Sequence, residues 1–166
     1  MPPKKQINKQ QIIDKAFDMV RSEGYDSLTA RKLATKLNCS TQPIYQTFSD
    51  MKELKVELIK KAQETMINYV MDTYDRTVPL ALAYILAYIR FSGDEKYLYQ
   101  LIFTSGGLDL DRIKELNIKN INLDINMIIY ANGIIMMKAF NALEISEEML
   151  KGMLIHAYEL FESKKV

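Results

Sequence analysis

The sequence predicts an all-α fold of about nine helices, with a three-helix domain over residues 1–50 and a helical bundle over residues 51–166. Three observations carry this. Apolar residues recur at the 3.6-residue helical spacing along the chain, and the period of two that marks a half-buried strand is nearly absent. The 6 glycines and 4 prolines are sparse and fall where one apolar stripe ends and another begins. A content of 48% hydrophobic and 26% charged residues is that of a globular chain able to bury a core.

The elements follow in order. Ile12, Ile13, Ala16, Phe17 and Val20 form one stripe at i, i+3, i+4 and i+7, and Gly24 stops that first helix as a C′ residue. Thr29 caps a short second helix, ARKLATKL, with Leu33, Ala34 and Leu37 inward. Asn38 tolerates the left-handed conformation that a tight turn needs. Ser40 then caps a third short helix, placing Thr41, Gln42 and Pro43 at N1, N2 and N3 and turning Ile44 and Phe48 inward. A proline inside a helix costs about 3 kcal/mol, but in the first turn its missing N–H has no intrahelical acceptor to lose. Asp50 with Glu53 opens a long fourth helix as a capping box, running to about Tyr74.

Pro79 suits the first turn of a fifth helix over 78–91, and Gly93 and Asp94 punctuate the chain before a sixth helix in DEKYLYQLIF. Residues 104–122 read as loop with one short helix over 109–116. A long apolar helix over 123–143 follows, and Ser146 caps the last helix, with Glu147 and Glu148 favourably placed at its N-terminal dipole. Helices 78–91 and 123–143 are apolar nearly all round and must be covered on more than one side. For the second of these the cover is either a partner subunit or, in a monomer, the chain's own bundle.

Charge and rare residues exclude several classes. The formal net charge is +1, but residues 1–61 hold 12 Lys/Arg against 7 Asp/Glu while residues 62–166 hold 10 against 14. The positive surplus therefore sits at the N-terminal end, where Lys4, Lys5 and Lys9 read as a basic arm. One cysteine, Cys39, and one histidine, His156, exclude an intrachain disulfide and a Cys- or His-rich metal site. The N-terminal stretch has no apolar region of the secretory kind, and the apolar runs 78–91 and 127–140 are too short, at about 21 Å as helices, for a membrane core of about 30 Å. The expectation is a cytoplasmic protein with no membrane partner, no metal and no cofactor. No catalytic residue is assigned, because no paired-carboxylate, Cys/His or glycine-rich phosphate motif is present on a plausible frame.

Two short capped helices joined by a tight turn make a helix-turn-helix, whose second helix enters the major groove of DNA. The order of residues here resembles the TetR family of transcriptional regulators. The residues that carry the resemblance are Ile13, Ala16, Phe17 and Gly24, then Leu28, Thr29, Arg31, Leu33, Ala34 and Leu37, then Ser40, Ile44, Tyr45, Phe48, Lys52 and Leu54. It is strong over residues 9–55; beyond that only the helical character and the final helical pair match. Thr47 stands where the family often has His, and Asn38-Cys39 where it often has Gly-Val.

The resemblance implies base readout by Thr41, Gln42 and Gln46, an apolar contact from Pro43, phosphate contacts from Tyr45 and Lys52, and backbone or base contacts from Thr29 and Arg31. Read without it, Tyr45 has a lesser alternative as a core aromatic, and Gln42, Gln46 and Lys52 have lesser alternatives on a solvated face. The resemblance further implies a homodimer on a pseudo-palindromic operator of double-stranded DNA, and a small-molecule effector held in the C-terminal domain. Ten methionines and ten tyrosines suit a moderately apolar effector. Met66, Tyr69, Tyr84, Tyr88, Met127 and Tyr130 are its candidate contacts. The last two helices would form the dimer through Ile129, Gly133, Met137, Met149, Met153, His156 and Leu160. The expected function is a ligand-released transcriptional repressor; the rival is a helical small-molecule carrier or scaffold that does not read DNA.

Overall fold

Capping side chains and left-handed turn residues decide where several of the helices begin and end. The computed structural model describes residues 7–104 and 124–162, and among these it holds eight α-helices, one 3₁₀ turn and no strand. They are α1 (Lys9–Glu23), the 3₁₀ turn (Tyr25–Ser27), α2 (Ala30–Lys36), α3 (Gln42–Thr47) and α4 (Met51–Thr73), followed by α5 (Leu80–Asp94), α6 (Lys96–Thr104), α7 (Ile125–Ala139) and α8 (Glu147–Glu162). The short helix expected over 109–116 lies outside the described residues.

Two compact units are present. The first takes residues 7–65 and 95–104, and the second takes residues 66–94 and 124–162. In the first, the predicted stripe Ile12, Ile13, Ala16, Phe17 and Val20 is buried with Leu33, Ile44, Phe48, Leu54 and Leu58. Leu98, Leu101 and Ile102 of α6 are buried too, and α6 packs on α1. A reciprocal capping box starts α1: the Asn8 side chain accepts from the Gln11 N–H at 2.9 Å, and the Gln11 side chain accepts from the Asn8 N–H at 3.0 Å. The helix stops at Gly24, whose φ of 83° and ψ of 161° only glycine adopts without strain. A Cβ there would also meet the Tyr97 ring at 3.1 Å.

Thr29 caps α2 as expected, accepting from the Lys32 N–H at 3.2 Å. Asn38 takes φ 54°, and its N–H and that of Cys39 donate to the carbonyls of Thr35 and Ala34 at 3.1 and 3.0 Å. That pair of bonds is a Schellman ending, which satisfies two carbonyls the helix would leave open. The α3 start differs from expectation by one residue. Thr41, not Ser40, is the N-cap residue: its carbonyl accepts from the Ile44 and Tyr45 N–H groups at 3.1 and 3.3 Å. With φ −71° and ψ −14° it is already in the helical region, where its hydroxyl makes no capping bond. Gln42 and Pro43 are therefore N1 and N2, and the proline still lies within the first turn.

In the second unit α5 is buried from Leu82 to Ile89, and α5, α7 and α8 pack on one another. Pro79 stands just before α5 and accepts its first bond, from the Ala83 N–H at 2.9 Å. The helix runs through Gly93 to Asp94 rather than stopping at 91. The long helix expected over 123–143 is shorter, Ile125–Ala139, because Asn141 at φ 53° closes it with a second Schellman pair, Asn141 N–H to Lys138 and Ala142 N–H to Met137. Ser146 caps α8, accepting from the Met149 N–H at 3.1 Å. Two ion pairs tie α8 in place: Arg90 Nε donates to Glu147 at 2.6 Å, and Lys151 donates to Asp75 at 2.6 Å.

Candidate functional site

The helix-turn-helix is built by burying one face of α3 and freeing the other. Ile44 and Phe48 are each 1% exposed, which fixes the rotation of α3 on its core. Gln42, Tyr45 and Gln46 are then outward, with Thr41 and Pro43 half-buried at the start of the helix. Tyr45 is 53% exposed, so its alternative as a core aromatic is closed. Among the described residues, the side chains of Arg31, Gln42, Tyr45, Gln46 and Lys52 make no hydrogen bond or ion pair. Donors and acceptors held out on a fixed helix and left open to water suit a partner with its own polar groups.

Arg31 and Thr29 open α2, both exposed, and Thr29 spends its oxygen on the cap. Lys52 opens α4, exposed, in a turn locked by side chains. Asp50 Oδ1 accepts from the N–H groups of Lys52 and Glu53 at 2.8 Å each. Glu53 reaches one residue further back than a capping box would, taking the Ser49 N–H at 2.7 Å and the Ser49 hydroxyl at 2.9 Å. The Ser49 backbone bond and then its hydroxyl hold the Glu53 carboxyl below the usual carboxylate range. Lys9 is no free arm residue. It pairs with Glu57 at 2.8 Å and lies 5.5 Å from the Phe48 ring centroid, while Lys4 and Lys5 lie outside the described residues.

The six candidate effector contacts all belong to the second unit. Met66, Tyr84, Tyr88 and Met127 are buried; Tyr69 and Tyr130 are half-buried. Tyr69 donates to Asp94 and meets the Phe91 ring edge-on at 5.4 Å. The Tyr88 hydroxyl donates to Asn132 Oδ1 at 3.0 Å. Of the candidate dimer residues, Ile129, Gly133, Met137, Met149, His156 and Leu160 are exposed and Met153 is half-buried. Sequence reasoning missed their exposed neighbours Ile125 and Met136 on α7, Phe140 just past its end and 74% exposed, and Gly152 on α8. The signal was there in the spacing, since 125, 129, 133, 136 and 140 continue one helical stripe.

The chain is similar to a solved structure, the crystal structure of multidrug binding protein EbrR complexed with imidazole. The TM-score is 0.62 and the identity 17%, over 89% of this chain and 88% of that one. At this identity the two share a fold, and it is the all-helical fold expected from the sequence. No model of a known family matches the chain, and a search of curated proteins finds no match. Among the described residues no helix is long and apolar enough to cross a membrane, and no group of His, Cys, Asp or Glu could hold a metal ion.

Proposed function

We propose that the protein is a sequence-specific DNA-binding transcriptional regulator, a homodimeric repressor released from a pseudo-palindromic operator by a small, moderately apolar ligand. The observation that carries this reading is α3: a helix anchored by Ile44 and Phe48 whose outward Gln42, Tyr45 and Gln46 are unengaged. Glutamine can pair bidentately with adenine in the major groove, and Tyr45 and Lys52 flank the helix as phosphate contacts. The fold shared with EbrR, described as a multidrug binding protein, supports the ligand-responsive part.

The dimer would form on α7 and α8. Ile125, Ile129, Met136, Met137 and Phe140 with Met149 and Leu160 leave an apolar face open. Gly133 and Gly152 have open space where a Cβ would stand, so a second copy's helices could approach closely there.

Selection of bound duplexes from a random pool tests the reading. Recovery of a pseudo-palindromic site is expected, with Gln42→Ala or Gln46→Ala costing about 1–3 kcal/mol on that site and relaxing preference at one base step. Lys52→Ala should weaken binding to all sequences and lower the salt slope by about one for each phosphate it no longer neutralises. A pool that yields no palindrome sinks the reading in favour of a carrier or scaffold.

A further inference from the structure

Two tyrosines stand one helical turn apart on α5 and are equally buried, each 6% exposed, yet their hydroxyls fare differently. That of Tyr88 donates to Asn132 Oδ1 at 3.0 Å, and Asn132 Nδ2 in turn donates to the Ile128 carbonyl at 2.8 Å. That of Tyr84 has no hydrogen-bond partner among the described residues. Burial pushes the Tyr84 phenol above its ordinary pKa, so the group is neutral and keeps its proton. A buried hydroxyl that has given up water without gaining a partner carries a standing cost, and native interiors hold few of them.

The surroundings limit what could meet it. The buried side chains of the second unit are aliphatic, methionine or aromatic, and none is charged among the described residues. Arg90 with Glu147, and Lys151 with Asp75, are partly exposed and paired with each other. Among the described buried side chains, a charged molecule drawn into this interior would find no counter-charge. A phenol is a better donor than acceptor, so the complementary group is an oxygen or nitrogen lone pair.

We propose that Tyr84 is the hydrogen-bond donor of a site in the second unit for an uncharged, mainly apolar molecule with one strong acceptor, of the ketone or ester kind. This rests on reading that unit as ligand-binding, and deepens it by naming the ligand's chemistry and its polar anchor. Tyr88 is not that donor, because its hydroxyl already donates to Asn132.

The experiment uses the full chain free of DNA and three matched pairs of probes of rising size: acetophenone with ethylbenzene, benzophenone with diphenylmethane, and 2-undecanone with undecane. Binding is read by the rise in Tm and by calorimetry. In at least one pair the ketone should bind about tenfold tighter than its hydrocarbon partner. Tyr84→Phe should abolish that preference, and Tyr158→Phe, a half-buried tyrosine of α8 outside the candidate contacts, should keep it. Equal binding within every pair, no binding by any probe, or a preference that survives Tyr84→Phe overturns the proposal. So does tighter binding of benzyltrimethylammonium than of its neutral isostere neopentylbenzene. A gel shift without probe is run in parallel. Failure to bind any duplex strikes the regulator reading and leaves the Tyr84 site standing, whereas loss of the ketone preference strikes the site alone.

Discussion

The two compact units finish their surfaces in opposite ways. Of the eleven exposed large apolar side chains among the described residues, only Tyr45 and Val56 belong to the first unit; Met71, Leu80, Ile125, Ile129, Met136, Met137, Phe140, Met149 and Leu160 belong to the second. The first unit closes its core on itself and turns polar side chains outward, which suits a hydrated polyanion. The second leaves an apolar face on α7 and α8, which suits another apolar face. The two surfaces thus differ in the kind of partner that the proposed function would give each unit.

The largest break in that contrast comes from a charge placed in the apolar face. Ile129→Glu or Phe140→Glu should leave the monomer folded, since both side chains are exposed there. In a dimer buried through this face, an unpaired carboxylate costs about 3–5 kcal/mol, enough to raise the dissociation constant more than about a hundredfold. Sedimentation velocity with circular dichroism separates the outcomes: helical monomer is expected, and an unchanged dimer would place the interface elsewhere. Val56→Glu is the matching change in the first unit and should leave the assembly as it was.

How well each unit can be read from sequence follows the same division. Thr29, Asn38 and Ser146 act where their residue types predict, because capping and left-handed turns are decided within three or four residues. The slip from Ser40 to Thr41 has the same root: two adjacent hydroxyl residues compete for one cap, and the backbone of Thr41 settles it. The Asn8 and Gln11 box was equally local and its pattern stands in the sequence, unread. What sequence could not supply is long-range. Nothing near residue 95 signals that Glu95 pairs with Arg21, or that Tyr97 lies against Gly24, and so that α6 joins the first unit. Periodicity likewise marks α5 as buried without telling which tyrosine hydroxyl finds a partner.

Gly24→Ala sharpens the contrast from the first unit's side. At φ 83° and ψ 161° a side chain costs about 1–3 kcal/mol in backbone strain, and the Tyr97 ring 3.1 Å from the new Cβ pushes the loss toward the upper figure. Chemical denaturation should show the fall. The double variant Gly24→Ala with Tyr97→Ala, which removes the ring, should recover only the steric part. If Gly24→Ala is neutral, the backbone at residue 24 does not hold the left-handed φ described.

In the second unit the tyrosine pair sets a smaller difference. Tyr88→Phe removes the donor that Asn132 Oδ1 accepts from at 3.0 Å and should cost about 1–2 kcal/mol. Tyr84→Phe removes a hydroxyl with no partner among the described residues and should be neutral or slightly stabilising. Equal losses from the two would mean that the Tyr84 hydroxyl is satisfied in solution.

The smallest effect compares one ion pair from each unit under acid. Asp75 accepts from Lys151 at 2.6 Å, from the Thr77 hydroxyl at 2.5 Å and from the Thr77 N–H at 2.8 Å, and these hold its carboxyl far below the ordinary 3.8. Asp14 is lowered too, by Lys61 first and then Gln10. A carboxyl depressed in the folded state contributes stability that is present above its unfolded value and is lost as pH falls toward the folded one. For both groups the loss therefore begins near 3.8 and not in the neutral range. The Asp75 side chain is 21% exposed and that of Asp14 is 50%, so water screens the Asp14 pair more. The Tm gap between the native protein and Asp75→Asn should be flat from about pH 7 to 5 and shrink below about 4, with a smaller gap of the same shape for Asp14→Asn. A larger gap at Asp14 would reverse the order of the two units, and would mean that α1 and α4 depend more on charge than the α8 anchor does.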